Sequence, residues 1–168
     1  MRARSAAAPR LDVETVIHAP PALVLRAFFD PAALGAWLRA KQSVTTPRTL
    51  GVYAVEWPLS DRYDDVLGRL GGVFRGTVIQ FEAGRGFFVA DGYWLPPEGE
   101  PIGPTALTVA CVPERSTDLE AAGPEGIATY VHVEQTGFED SPRWRRYYEL
   151  ANEGMPRALV SLKGLLER

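Results

Sequence analysis

Gly126-Ile127-Ala128-Thr129-Tyr130-Val131-His132-Val133-Glu134-Gln135, then Thr136-Gly137-Phe138, then one amphipathic run from Ser141 almost to Arg168: this stretch decides the fold. The first segment reads as a strand. In the run that follows, Ser141 caps the start and Pro142 takes the first helical position, where a missing N–H leaves no bond unmade. Trp144, Tyr148, Ala151, Met155, Leu159, Leu162 and Leu166 recur at spacings of three and four. Arg143, Arg145, Arg146, Glu149, Glu153, Arg157, Lys163 and Glu167 fall mostly on other faces, which is the period of an amphipathic helix. At about 1.5 Å per residue, roughly 26 residues reach about 39 Å, enough to cross a small domain. Pro156 removes one backbone hydrogen bond and crowds the preceding turn, so a kink is expected within Gly154-Met155-Pro156. A sheet that ends in one long helix implies a sheet wrapped around that helix, and such a shape encloses a pocket.

Working backwards, the remaining segments supply the sheet. Leu11 to His18 alternates as a strand and Ala19-Pro20-Pro21 ends it. Pro21 to Phe29 reads as a short helix, and Asp30-Pro31 starts a second with Leu34, Trp37 and Leu38 on its buried side. Gln42 to Pro47 is a short edge strand, and Gly51 to Trp57 a clearer one with Tyr53, Val55 and Trp57 on one face. Pro58 to Leu70 reads as a loop or a short helical insertion. Val73 to Phe81 and Gly86 to Trp94 form a hairpin around Glu82-Ala83-Gly84-Arg85. Leu95 to Pro104 is a Pro- and Gly-rich loop, Thr105 to Val112 a strand, and Glu114 to Glu125 another loop. Hairpin-length connections favour an antiparallel sheet, so the expected class is α+β of the helix-grip kind.

Composition bounds the rest. The 168 residues fit one domain, expected over residues 11–168, with residues 1–10 as a loose tail lacking the apolar segment of a secretory signal. A net charge of −3 argues against a general nucleic-acid binder. The single cysteine, Cys111, has no internal disulfide partner, which fits a reducing cytoplasm. No apolar run approaches the ~18 residues that signal a membrane span.

The chain resembles the START-like (SRPBCC) superfamily, and within it the bacterial group similar to the activator of the heat-shock chaperone ATPase (AHSA-like). The residues that carry the likeness are Val16-Ile17-His18-Ala19-Pro20-Pro21 with Phe28 to Trp37, Gly72 to Phe81, and Thr129 to Phe138 with the terminal helix. Ala19-Pro20 and Trp37 match the family pattern at the first site. Where the family often has His-x-Gly-Phe, this chain reads Gln135-Thr136-Gly137-Phe138. Where its last helix often has Gly-Trp, this chain has Gly154-Met155. The resemblance implies a helix-grip fold and leaves the activity open: ligand carriers, polyketide cyclases and aromatases, and chaperone partners all share it.

The reactive residues form no catalytic set. His132 shares a strand face with Tyr130 and Glu134, opposite the more apolar face of Val131, Val133 and Gln135, so it is placed outside. His18 sits at a strand end among prolines, and two separated histidines make a poor metal site. Asp61, Asp64 and Asp65 read as a solvated acidic loop partly neutralised by Arg62 and Arg69, ahead of a magnesium site. Cys111 reads as buried packing. Gly68, Gly71, Gly72 and Gly76 lack phosphate-loop spacing and read as turns and strand bends. No metal or cofactor is expected.

The aromatic residues are more informative. Tyr53, Trp57, Phe74, Tyr93 and Trp94 lie in the central strands, and alternation sends several inward. A dry pocket of about 300 Å³, at about 24 cal/mol per Å³, would cost roughly 7 kcal/mol. That rivals the whole stability of a typical domain, about 5–15 kcal/mol, so the pocket is expected to be small, wet or occupied. Asp91 and Gln135 are polar residues on faces read as inward, hence candidate handles for a ligand. The expected function is binding of a small apolar or amphipathic molecule between sheet and terminal helix. Tyr53, Trp57, Phe74 and Tyr93 form the wall, Met155 and Leu159 the helix side, and Asp91 and Gln135 the polar contacts. The alternatives are a cyclase-like enzyme with Asp91 as acid or base, and a protein-interaction module with a chaperone partner. A homodimer through an edge strand is open.

Overall fold

The computed structural model describes residues 8–115 and 126–168. Of the loop expected over Glu114 to Glu125, Glu114 and Arg115 instead extend strand β8 opposite Ala128 and Ile127. The remainder and most of the expected N-terminal tail lie outside the described residues. In chain order the elements are β1 (Leu11–Ile17), α1 (Pro21–Ala27), α2 (Pro31–Trp37), β2 (Gln42–Thr45), β3 (Val52–Trp57), β4 (Tyr63–Asp64), β5 (Gly68–Arg69), β6 (Gly72–Glu82), β7 (Gly86–Leu95), β8 (Ile102–Arg115), β9 (Ile127–Thr136) and α3 (Pro142–Leu166). Seven strands form one antiparallel sheet in the order β1-β9-β8-β7-β6-β3-β2, and its inner face packs on α3. This is the α+β helix-grip arrangement.

Alternation places the core. On β3, Tyr53 and Val55 point inward; on β8, Leu107, Val109 and Cys111; on β9, Val131, Val133 and Gln135. The short helices bring Phe28, Phe29 and Trp37 against Tyr53 and Phe87. Edge-to-face contacts dominate that cluster, with centroids 4.7–5.7 Å apart, the arrangement that ring quadrupoles favour. Asp30 caps α2 by accepting from the Ala33 N–H at 3.0 Å.

The helix α3 is fixed at both ends. Ser141 accepts the Trp144 N–H at 3.2 Å, and Phe138 packs against Trp144, Tyr147 and Tyr148. At the other end Leu159 and Leu162 are sealed in the core. Lys163 there donates to the Val16 carbonyl at 2.7 Å, and the His18 N–H donates to Glu167 at 2.8 Å. The helix continues through Pro156 as one element.

Three readings are corrected. Residues 58–70 are neither plain loop nor helix, because β4 and β5 pair there as a small second ladder. Strand β8 begins at Ile102, inside the segment read as a loop. The third correction concerns the phase of β7. Val89 faces Leu107 of β8, yet the next paired residue, Gly92, faces Thr105, so β7 carries one extra residue. Asp91 takes the strain of this bulge at φ 52°, a left-handed conformation that Asp tolerates better than most residues. A one-residue shift exchanges the faces of all that follows. Gly92 and Trp94 therefore turn inward, while Asp91 and Tyr93 turn outward, with Tyr93 37% exposed.

Gly92 has no room for a side chain, since a Cβ there would stand 2.8 Å from the Phe74 ring and 2.9 Å from the Thr105 carbonyl oxygen. Gly92→Ala is expected to destabilise by about 1–3 kcal/mol, the usual range for overpacking. Asp91→Gly, which relieves the left-handed position, is expected to be neutral or stabilising. Urea unfolding of the two variants checks both; an unperturbed Gly92→Ala would contradict the bulge geometry.

Candidate functional site

Between the inner sheet face, α2 and the middle of α3 lies a cavity of about 760 Å³ that opens to solvent. Its sheet wall is Tyr53, Val55, Trp57, Phe74, Trp94, Leu107, Val109, Val133 and Gln135. The space exists because of what α3 presents to it. Ala151, Gly154, Ala158 and Ser161 recur at spacings of three and four, and these small side chains keep the helix surface away from the sheet. A Cβ on Gly154 would have no neighbour within 4 Å. At about 24 cal/mol per Å³, a dry void of this size would cost about 18 kcal/mol, more than a typical domain holds. The open mouth admits water and removes that penalty.

The wall's polar tips are turned away from the cavity. The indole N–H groups of Trp37, Trp57 and Trp94 donate to the backbone carbonyls of Ala27, Leu38 and Gly71 at 2.9, 3.0 and 2.9 Å. The Tyr53 hydroxyl donates to the Phe28 carbonyl at 2.9 Å, and burial raises its pKa further above the ordinary phenol value. The cavity therefore meets aromatic faces and aliphatic groups, with bonded N–H and O–H groups behind them.

Apart from Ser161 and the exposed Arg39 and Arg157, one polar pair breaks this surface. Thr105 donates its hydroxyl proton to the Gly92 carbonyl at 3.1 Å, so its oxygen is left to accept. It accepts from the Gln135 side-chain amide at 3.0 Å, and the same NH₂ group donates to the Tyr147 hydroxyl at 3.2 Å. This chain fixes the direction of the Gln135 amide. Both its N–H bonds are used, its carbonyl oxygen has no donor among the described residues, and the Tyr147 hydroxyl keeps its own proton to donate. Burial pushes the Tyr147 phenol up to about 12, against a downward pull from the Gln135 hydrogen bond, so that proton is retained at neutral pH. Tyr147 also stacks on Trp94, with centroids 5.4 Å apart and an interplanar angle of 12°.

The structure thus brings Tyr53, Trp57, Phe74, Gln135 and Met155 to one cavity. Leu159 sits beside it in the sealed core and does not line it. Asp91 and Tyr93 are corrected: the β7 bulge puts them on the outer face, in a shallow groove with Arg75, Thr77 and Pro101. Tyr147 and the small residues of α3 were not assigned to the wall, and Trp94 was read among the central-strand aromatics but left out of it. On α3 the signal was a second helical line, Tyr147, Gly154, Ala158 and Ser161, each one position before a residue of the chosen stripe, with Ala151 common to both.

Two further clusters belong to the scaffold. Asp64 is tied to α3, because Arg146 donates to it at 2.7 Å, and it also accepts the Val66 and Leu67 N–H groups at 3.0 Å each. The partner is Arg146, where Arg62 and Arg69 were expected. The bridge holds residues 58–71 over the cavity, whose rim includes Pro58, Leu70 and Gly71. On the outer face Asp12, His132 and Glu134 converge, with Asp12 2.6 Å from the His132 ring. Arg10 reaches both carboxylates at 3.2 and 3.5 Å, so positive charge already stands there. Cys111 is buried on β8, and burial pushes its thiol up to about 12, which leaves it protonated and unreactive.

No protein-family model and no curated protein sequence matches the chain. Solved structures share its fold. The crystal structure of protein MLL2253 from Mesorhizobium loti has 24% identity and a TM-score of 0.66, over 95% of this chain and 98% of that one. Protein CV1439 from Chromobacterium violaceum has 22% identity and a TM-score of 0.62, over 95% and 99%. The solution structure of the Aha1 dimer from Colwellia psychrerythraea has 14% identity and a TM-score of 0.60, over 95% and 96%. At these identities the likeness establishes the fold alone, a helix grip shared with the Aha1 dimer structure. None of the helices is long and apolar enough to cross a membrane, among the described residues.

The Asp64 bridge has a pH signature. Burial alone raises a carboxyl, but hydrogen bonds from Arg146, Leu67 and Val66 outweigh it and hold Asp64 below the ordinary carboxylate range. A depressed folded pKa contributes stability that is complete above the unfolded carboxylate pKa and lost as pH falls through the folded value. Amide exchange in residues 60–71, corrected for intrinsic rate, is expected to speed up about fivefold on acidification through that range. Asp64→Asn is expected to show the faster exchange already at neutral pH. Equal protection in both proteins at neutral pH would contradict the role assigned to the bridge.

Proposed function

We propose that this protein is a START-like domain of the AHSA-like group that binds a small apolar or amphipathic molecule in the cavity between its sheet and α3. The observation that carries the reading is the wall itself: aromatic and aliphatic faces with one oriented polar pair, the Gln135 carbonyl oxygen and the Tyr147 hydroxyl. An apolar body displaces water from the walls, and the pair fixes its orientation. The volume falls within the roughly 300–1,000 Å³ typical of small-molecule sites.

A cyclase-like reading no longer has Asp91 as its acid or base, since that carboxylate lies on the other side of the sheet. The cavity wall contains no Asp, Glu, His or Lys among the described residues, which favours binding over acid–base chemistry. Dimerisation is a second reading, supported by the fold shared with the Aha1 dimer and by β2, a short edge strand with Val44 exposed. A chaperone partner rests on the sequence resemblance alone.

The uncharged dye N-phenyl-1-naphthylamine tests the binding reading, because its fluorescence rises on entering an apolar site. Saturable 1:1 enhancement is expected for the native protein. Ala151→Phe, which places a ring in the cavity, is expected to weaken the dye at least tenfold while circular dichroism stays native. Gly154→Ala adds only a methyl at a helical position, and is expected to keep the dye and gain about 1 kcal/mol of stability. No saturable binding, or equal binding by Ala151→Phe, would overturn the reading.

A further inference from the structure

The charges around the cavity are of one sign. Arg39 and Arg157 line it, and the wall carries no carboxylate among the described residues. Each arginine is exposed, and neither has an ion-pair partner among the described residues, although the chain carries 21 acidic residues against 18 basic ones. The other arginines of α3 that face neighbours are engaged: Arg143 with the Glu100 carbonyl, Arg145 with Asp140, and Arg146 with Asp64 and Glu149. Arg39 comes from the residue after the α2 cap, Leu38, while Arg157 comes from the third turn before the end of α3. Two separate elements thus each contribute an exposed arginine to the lining of the same cavity. Arg39 does so at φ 60°, the left-handed position after a helix where glycine is easiest to accommodate.

Resting on the binding reading above, we propose that the ligand is an amphipathic organic acid. Its apolar body lies against Trp57, Phe74 and Trp94, and its carboxylate stays at the mouth between Arg39 and Arg157. The arrangement suits the energetics of both parts. A carboxylate drawn into the apolar interior would lose its hydration without a cation to replace it, whereas at the mouth it keeps water and meets two guanidinium groups. The Tyr147–Gln135 pair, carrying no net charge, suits a neutral donor or acceptor farther along the molecule, such as a hydroxyl or carbonyl.

Competition against N-phenyl-1-naphthylamine separates head group from body. Dodecanoate, dodecanol and dodecyltrimethylammonium share one chain and differ in charge. Dodecanoate is expected to displace the dye at about a tenth of the dodecanol concentration, and the ammonium to be the weakest, with the advantage of dodecanoate shrinking in high salt. Arg39→Gln and Arg157→Gln are each expected to reduce that advantage, and the double variant to abolish it while leaving dodecanol unchanged. Arg39→Gly relieves the left-handed position, so it keeps the fold while removing one charge, and it is expected to behave as Arg39→Gln does. If dodecanoate and dodecanol compete equally, or the arginine variants leave the preference intact, the organic-acid proposal fails and the binding reading stands. If the dye and all three amphiphiles fail to bind, both fail.

Discussion

Helix α3 is gripped at its ends and held off in its middle, and the rest of the structure follows from that. One end is pinned by the Phe138–Trp144–Tyr148 cluster and by Arg146 on Asp64; the other by buried Leu159 and Leu162 and by Lys163 on the Val16 carbonyl. Between them Ala151, Gly154 and Ala158 are too small to reach the sheet. A helix fixed at both ends cannot collapse onto the gap, so the volume persists as a cavity. Tight packing at the two ends thus produces loose packing at the centre, and the two are one property of one helix.

The sheet makes a complementary adjustment. A regular β7 would direct Asp91 and Tyr93 inward, and a carboxylate would then stand in the apolar wall with no cation beside it. The bulge at Asp91 exchanges them for Gly92 and Trp94. Gly92 leaves room for the Phe74 ring, and its carbonyl starts the hydrogen-bond chain through Thr105 and Gln135 to Tyr147. A single inserted residue therefore sets both the apolar character of the wall and the direction of its one polar contact. Inside, the site is neutral; charge appears only at the rim.

This also explains what could be read from the sequence. The terminal helix, the central hairpin and the inward sides of β3 and β9 follow from periodicity, because burial on one face imposes a strict period. Tyr53, Trp57 and Gln135 were legible for that reason. Asp91 and Tyr93 were misread because period-2 reasoning carries its phase through a strand, and a bulge resets it. The Asp91-Gly92 pair within an otherwise apolar strand was the local sign of the reset. Tyr147 was passed over since two adjacent lines on α3 are both apolar, and which of them meets a cavity depends on the helix's rotation against the sheet. The Asp64–Arg146 bridge spans 82 positions and has no sequence signature.

The central claim is that the space under α3 is a binding site and not a packing defect. The side-chain N–H signals of Trp57, Trp94 and Gln135, followed by nuclear magnetic resonance during titration with dodecanoate, test it most directly. The account predicts saturable shifts at these three groups, with the backbone amides of outer-face Ile79 and Val112 unmoved. Shifts confined to the outer face, or spread evenly over the molecule, would contradict it.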